Sequence, residues 1–545
     1  MPIDNVQNER NDQARRVALA TITDLAIEST TLVQFASRGH VLVIGDMDAM
    51  DIAHRMTEPL HAKVLLTDGA EEPGVPVVHQ ARRSVRIEGY LGAFQVHLGE
   101  EGKPTTEVIR ADLLLDLSPS PLMAMPVPPL GYVHSSIDED EVSQAIETLS
   151  EMVGTFEKPK YFEYDAGKCA HGRNGKTACT QCIDACPTEA ITSLVDSVQV
   201  DSNLCQGGGV CATVCPSGAI RYTYPGPKDT LVQIRTLLRS YQEQGGEQPV
   251  LAFFAESDGE LPQVMAGNVL PVMLEELASV GLEIWLSSLA YGATAVLLVD
   301  GGSMPASVRA AVDTQLQTAG EILATMGYPA DAISLIARDE LAAPLKGLMS
   351  LPKTAGYTTQ NDKRETAYMA IDHLFAQAEH PKPMAMLSTG APFGFAEVDA
   401  QRCTLCMSCV SACPGNALRS GQETPELKFV EANCLQCGMC TSTCPEDAIS
   451  ISPRLLLKRE ARNELRILHE EQPFHCVVCS KPFATESVIT NMLAKLQGHA
   501  MFQTERARRR LMMCEDCRVV DVTQDPEAME GGLSLNEKPN GQFHQ

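Results

Sequence analysis

One short phrase recurs four times in this chain and limits what it can fold into. Cys186-Pro187, Cys215-Pro216, Cys413-Pro414 and Cys444-Pro445 are each followed by two residues and then Ala-Ile or Ala-Leu, reading CPTEAI, CPSGAI, CPGNAL and CPEDAI. The last two copies each close a full ladder, C-x2-C-x2-C-x3-C-P: Cys403, Cys406, Cys409 and Cys413, then Cys434, Cys437, Cys440 and Cys444. Four irons in a cubane need four converging thiolates. Two-residue gaps let a tight loop wrap three of them around one face, while the fourth cysteine opens a short helix, points away and ligates the cluster of the other repeat. The spacing therefore predicts one [4Fe–4S] cluster on Cys403, Cys406, Cys409 and Cys444, and a second on Cys434, Cys437, Cys440 and Cys413. Proline after the fourth cysteine suits the first turn of a helix, where its missing N–H costs nothing. Small residues between ligands, Ser408 and Gly438, let backbone N–H groups approach the cluster sulfurs. Zinc sites close with two cysteine pairs and lack this crossed ladder.

The upstream repeat is irregular. Its first half reads Cys169-x9-Cys179-x2-Cys182-x3-Cys186-Pro, with Lys176 where the first ligand is expected. Cys169 must then reach back across a longer loop; His171 is the alternative ligand, and a free buried thiol the bland reading. The expected cubane here uses Cys169, Cys179, Cys182 and Cys215. The second half reads Cys205-Gln-Gly-Gly208-Gly-Val-Cys211-x3-Cys215-Pro, so glycine stands at the second ligand position. The site of Cys186, Cys205 and Cys211 has three thiolates. It could hold a [3Fe–4S] cluster, a [4Fe–4S] cluster completed by water or a distant ligand, or nothing stable; three thiolates favour the first.

Four further cysteines form two knuckles, Cys476-x2-Cys479 and Cys514-x2-Cys517. Facing each other they make a tetrahedral thiolate site, for which structural Zn2+ is the usual occupant, with rubredoxin-like iron or another iron–sulfur centre as rivals. His475 and His499 lie nearby, but four thiolates already close the site. The basic run Arg506, Arg508, Arg509 and Arg510 reads as a solvated helix face sooner than as a dock for an acidic partner.

Composition narrows the class. The chain has 19 cysteines, all in three clusters, and this many thiols without a secretory signal point to metal ligation, not to disulfides. The first 16 residues are polar with no apolar run behind their charges, so a cytoplasmic location is expected. No apolar stretch reaches the ~18–20 residues of a membrane helix; the most apolar window, 285–299, is broken by Ser287, Ser288, Gly292 and Thr294. Membrane insertion is not expected. A net charge of −27 argues against nonspecific nucleic-acid binding, since phosphate repulsion would have to be overcome first.

Between the cysteine clusters lie two cysteine-free regions. In the first, strands are expected at 41–44, 63–67 and 109–117 and a helix at 49–56, a βαβ pattern. A nucleotide site after Gly45 is disfavoured: Gly45-Asp46-Met47-Asp48 lacks the three-glycine turn, and its carboxylates repel phosphate. The acidic run 138–141 should open a helix, where negative charge complements the dipole. In the second region strands are expected at 250–254, 295–299 and 333–336 and helices at 281–290 and 305–326, an α/β domain with a parallel sheet. Asp300-Gly301-Gly302 at a strand end reads more readily as a turn than as a ligand loop.

The expected organisation is multidomain α/β plus α+β. An N-terminal α/β domain spans 17–154, an irregular ferredoxin module 160–226, a central α/β domain 230–378, a regular ferredoxin module 396–454, a four-cysteine metal region 470–520 and a flexible tail 521–545. The regular module closely resembles bacterial-type double-cluster ferredoxin domains, and the irregular one is similar with the departures given above. APFGFAEVDAQRCTLCMSC (391–409) and CLQCGMCTSTCPEDAIS (434–450) resemble large cytoplasmic 4Fe–4S dicluster proteins associated with formate dehydrogenase and other molybdenum-enzyme systems. Residues 249–337 resemble the small electron-transfer subunit associated with heterodisulfide reductases and hydrogenases, although the cysteines of that subunit's two-iron cluster are absent here. EGYLGAF (88–94) resembles flavoprotein subunits of the same systems, without a flavin fingerprint. These resemblances imply a relay passing single electrons between redox protein partners such as formate dehydrogenase or another molybdenum enzyme, with no independent catalytic activity expected. The alternatives are a redox-sensing assembly factor for such an enzyme and a flavin-dependent catalytic redox subunit. No Ser/His/Asp or paired-carboxylate constellation stands out.

Overall fold

The computed structural model describes residues 5–526 except 24, 26–29, 68–76, 80–83, 100–106, 263–264, 343–347, 359–361 and 423. It divides into two compact units, Met1–Ala391 with Arg454–Lys458, and Pro392–Pro453 with Arg459–Gln545.

In the first unit, five parallel strands lie in the spatial order Val77–His79, His61–Leu66, His40–Gly45, Leu113–Asp116, Tyr132–His134. The central strands are continuous apolar runs because both faces are covered. Val41 and Val43 point to the helices Asp48–Arg55 and Glu139–Glu151. Leu42 and Ile44 point the other way, to an antiparallel sheet of Ser84–Glu88, Phe94–Gly99 and Glu107–Ala111. Asp138 caps the second helix, its carboxylate accepting from the Asp140 and Glu141 N–H groups.

Two expectations are corrected here. The single strand at 109–117 is two strands in different sheets, broken at Asp112. That carboxylate accepts the Arg38 N–H at 2.7 Å and the His40 N–H at 3.3 Å, which turns the chain from one layer to the other. Residues 17–23 do not open the N-terminal domain either. They end the helix Asn5–Thr23, which packs on the helix Pro227–Glu243 of the central domain and is tied there by Asn8 and Asn11, whose side chains accept the Gly267 and Glu247 N–H groups.

The central domain is a four-stranded parallel sheet ordered Val269–Leu274, Val250–Ala255, Ala295–Asp300, Ile333–Ala337. The most apolar window divides between the helix Leu282–Ala290, whose nine residues are all buried, and the strand beside it. Among the described residues no helix is long and apolar enough to cross a membrane.

Each cysteine module pairs two small antiparallel ladders with two one-turn helices. Upstream these are Phe162–Tyr164 with Ile220–Tyr222, Ile191–Ser193 with Val198–Val200, and helices Gln181–Ala185 and Val210–Val214. In the second unit, Gly394–Val398 pairs with Ile449–Leu456, Leu418–Ser420 with Glu426–Val430, and the helices are Ser408–Ala412 and Met439–Thr443. Leu465–Glu470 adds a third strand there, leading into the four-cysteine region. The helix Glu515–Thr523 runs across position 521, where a tail was expected to begin; 527–545 lie outside the described residues.

Candidate cluster and metal sites

The regular module brings its eight thiols into two crossed groups. One cavity is walled by Cys403, Cys406, Cys409 and Cys444 with Leu405 and Ile449, the other by Cys413, Cys434, Cys437 and Cys440 with Ala396 and Ile451. The ligand loops turn through left-handed conformations at Leu405, Met407, Gln436 and Gly438, and successive positive-φ residues aim N–H groups inward. Ala417 and Ala448 N–H donate to Cys413 and Cys444 Sγ, each at 3.3 Å, and Gln436 Nε2 donates to Cys434 Sγ at 3.3 Å. Burial, then the neighbouring Cys406, Cys403 and Cys444, push the Cys409 thiol up to about 12. Burial and then Cys437, Cys434 and Cys413 push Cys440 up likewise. Four thiolates converging on one cavity repel one another unless a cation sits among them, which is what the irons of a cluster provide. The donor set fits the group.

Upstream, Cys169, Cys179, Cys182 and Cys215 converge. Cys182 is raised to about 12 by burial and then by Cys215, Cys179 and Cys169. The stretched loop folds back as a two-residue hairpin, Gly172–Arg173 against Lys176–Thr177. His171 is 2 % exposed and both ring nitrogens are engaged, Nδ1 with the Cys179 carbonyl and Nε2 with the Ser193 hydroxyl, each at 2.7 Å. It therefore pins the loop, with both ring nitrogens turned to Cys179 and Ser193. Gly172 fits because a Cβ there would lie 1.9 Å from the Val195 carbonyl oxygen.

Cys186, Cys205 and Cys211 form the three-thiol group. Burial and then Cys205 and Cys186 push Cys211 well up, and burial also raises Cys205. The three glycines of this loop differ in what they need. A Cβ on Gly207 would meet the Tyr161 ring at 2.8 Å and one on Gly209 the Ser279 Cα at 2.4 Å, whereas one on Gly208 would meet nothing within 4 Å. Lys158, which the sequence reading missed, donates from Nζ to the carbonyls of Cys205 and Asn203 at 2.7 and 2.8 Å. Nothing local marks it, since it lies 47 residues from Cys205.

In the C-terminal region the sulfurs of Cys476, Cys479, Cys514 and Cys517 all lie within 4.8 Å of one another. Cys479 and Cys514 Sγ are 3.6 Å apart, close to the roughly 3.8 Å between sulfurs of a tetrahedron with Zn–S near 2.3 Å. Burial raises the Cys476 thiol, but N–H groups of Cys479, Cys514 and Val478 outweigh it and bring it down to about 6. His475 is exposed, and His499 Nδ1 accepts the Met501 N–H. Two arginines of the basic run are paired within the chain: Arg506 with Asp521 at 3.1 Å, and Arg510 with Asp521 at 2.6 Å and with Asp525.

Other motifs resolve as structure. A Cβ on Gly45 would lie 3.2 Å from the Ala49 and Leu117 Cβ atoms, so it serves close helix packing. The segment 88–94 is a hairpin turn, in which a Cβ on Gly92 would lie 2.0 Å from the Ala36 carbonyl oxygen. Asp300 accepts the Gly302 N–H at 2.9 Å and pairs with Arg309, closing a turn.

The family described as 4Fe-4S dicluster domain matches residues 402–448, and the one described as 4Fe-4S binding domain matches 198–221. The chain thus carries two 4Fe–4S ferredoxin-type domains. It is also similar to Hydrogenase-4 component A of Escherichia coli (strain K12), 46% identical over 39 residues, which is 7% of this chain and 19% of that protein. The chain spans about a fifth of the length of that curated relative.

Proposed function

We propose that this protein is a cytoplasmic electron relay that passes single electrons between redox protein partners through clusters in both modules. The convergence of the regular module's thiols into two crossed groups of four, each walling its own cavity, carries this reading. Clusters exchange one electron with little rearrangement of their ligands, and N–H groups directed at sulfur, as at Cys413, Cys434 and Cys444, tune the potential. Three [4Fe–4S] clusters are assigned, to Cys403, Cys406, Cys409 and Cys444; to Cys434, Cys437, Cys440 and Cys413; and to Cys169, Cys179, Cys182 and Cys215. Cys186, Cys205 and Cys211 hold a fourth cluster, either three-iron or four-iron with a non-thiolate ligand. Zn2+ on Cys476, Cys479, Cys514 and Cys517 is structural. The sequence likeness to dicluster proteins beside formate dehydrogenase supports a molybdenum enzyme as one redox partner, and the short match to a hydrogenase component supports assembly with a redox enzyme. Anaerobic purification with iron, sulfide and zinc counted, and EPR before and after reduction, tests the assignment; an iron content near zero sinks it. Bound flavin would favour a catalytic redox subunit instead. Clusters required for partner binding yet never reduced during turnover would favour an assembly factor.

A further inference from the structure

Two lysines from outside the irregular module reach its ligand segments and end on backbone carbonyls. Lys363 opens the helix Lys363–Gln377 and donates to the carbonyls of Ala212, at 2.6 Å, and Thr213, just after Cys211. The Glu283 carboxylate lies 3.9 Å from its ammonium, so that charge is balanced within the chain.

Lys158 is different. It comes from the strand Gly154–Pro159, which pairs with Leu32–Ser37, and its Nζ donates to the Cys205 carbonyl at 2.7 Å and the Asn203 carbonyl at 2.8 Å. The ring of Phe35 lies 4.8 Å from the same ammonium. Among the described residues no carboxylate stands within ion-pair distance of it. Asp201, the acid whose charge reaches it, has Oδ1 occupied by the Asn203 and Leu204 N–H groups at 2.8 and 3.3 Å. Burial pulls Lys158 below the usual lysine range, and the first charge opposing that fall is Cys205, followed by Asp201. A half-buried ammonium without a counter-charge is costly. A cluster on three thiolates supplies that charge, and its negative charge grows when it takes an electron. At the corresponding place in the regular module the Cys434 sulfur accepts from a neutral amide, that of Gln436, at 3.3 Å.

We propose that Lys158 is the counter-ion of the cluster on Cys186, Cys205 and Cys211, and that its charge raises the potential of that cluster so that it is reduced before the neighbouring cubane on Cys169, Cys179, Cys182 and Cys215. This rests on the reading that those three cysteines hold a cluster. No bond forms or breaks: the cluster takes one electron from its redox partner, and the ammonium offsets the added charge. In a half-buried site this attraction is screened less than it would be in water.

The test is a redox titration of the full-length protein, reconstituted anaerobically with iron and sulfide and followed by EPR. The signal missing from Cys205→Ser/Cys211→Ser identifies the cluster. In wild type it should be reduced ahead of the Cys169 cubane. Lys158→Gln keeps an N–H for the carbonyls but removes the charge. At a fixed ambient potential its ratio of reduced to oxidised cluster should fall about tenfold, which is about 59 mV for one electron, with iron and sulfide unchanged. Lys158→Arg keeps the charge and should stay within about twofold of wild type. Loss of this cluster from Lys158→Gln alone, with Lys158→Arg intact, also supports the proposal. A Lys158→Gln protein that titrates like wild type overturns it while leaving the cluster assignment standing. So do equal shifts in the two variants, which would mark loop geometry, and loss of the cluster from both, which would mark a mere pin. A cubane reduced first in wild type overturns it without any variant. If Cys205→Ser/Cys211→Ser loses neither iron nor a signal, the site holds no cluster and both ideas fall together.

Discussion

Gly207, Gly208 and Gly209 show how much one hydrogen can decide. Gly209 sits at φ +71° with Ser279 where a side chain would go, while Gly208 faces open space without a positive φ. Gly209→Ala should therefore destabilise by about 1–3 kcal/mol, through strain and displacement of the Ser279 turn. Gly208→Ala should stay within about 0.5 kcal/mol. Thermal unfolding of the two variants, followed by absorbance of the clusters, separates them. His171 offers a second single-residue test. Its two ring contacts fix the loop that returns Cys169 to its partners, and removing the buried ring leaves the part-buried Cys179 carbonyl without its partner, at a cost of about 1–3 kcal/mol. His171→Ala should lose about four irons per chain from this site and leave the regular module's reduced EPR signal intact. Equal loss from both modules would instead mark a general folding defect.

The four-cysteine region of the second unit has a small core, so metal and charge matter more there. The strands Pro473–His475 and Pro482–Thr485 meet the helix Glu515–Thr523 around a core of Cys476, Met513 and Cys514. A core this small leaves much of the region's stability to the metal proposed for the four thiolates. Cys476→Ser, or a chelator selective for zinc, should release metal and raise hydrogen exchange across both elements, with the iron count unchanged. Asp521 clips the same helix to Glu505–Arg510. Hydrogen bonds from Arg506 and then Arg510 hold its carboxyl below the usual range. A depressed carboxyl stabilises fully above its unfolded value near 4 and loses that contribution as pH falls through the folded one. Protection of 515–523 should thus decline on acidification in wild type and show less of that decline in Asp521→Asn. Spacing made much of this scale legible. Two-residue gaps fix ligand loops locally, and apolar runs marked the strands Val250–Ala255 and Ala295–Asp300 and the helix Leu282–Ala290 nearly residue for residue. The break at Asp112 was not legible, because the N–H groups that its carboxylate satisfies belong to Arg38 and His40. Lys158 escaped for the same reason: it acts on a loop that only the folded chain brings near.

Across the molecule, the parallel sheets and both cysteine modules follow from pattern, but the division of labour between chain ends does not. The helix Asn5–Thr23 buries Asn11, Ala14 and Ala18 and has little apolar surface to announce a partner. Deleting residues 5–23 should lower the melting temperature of the central domain by several degrees, about 2–4 °C for each kcal/mol lost in a body of this size. The EPR signal of the regular module should survive. That attachment also imposes an order of events during synthesis. A helix of this kind is marginal by itself, and its mate, Pro227–Glu243, leaves the ribosome about 10–45 s later at ordinary translation rates. Throughout that interval the nascent chain would carry an unanchored leading segment while the irregular module's seven thiols emerge bare. Iron delivery to them would then begin on a ribosome-bound intermediate whose central domain is still incomplete.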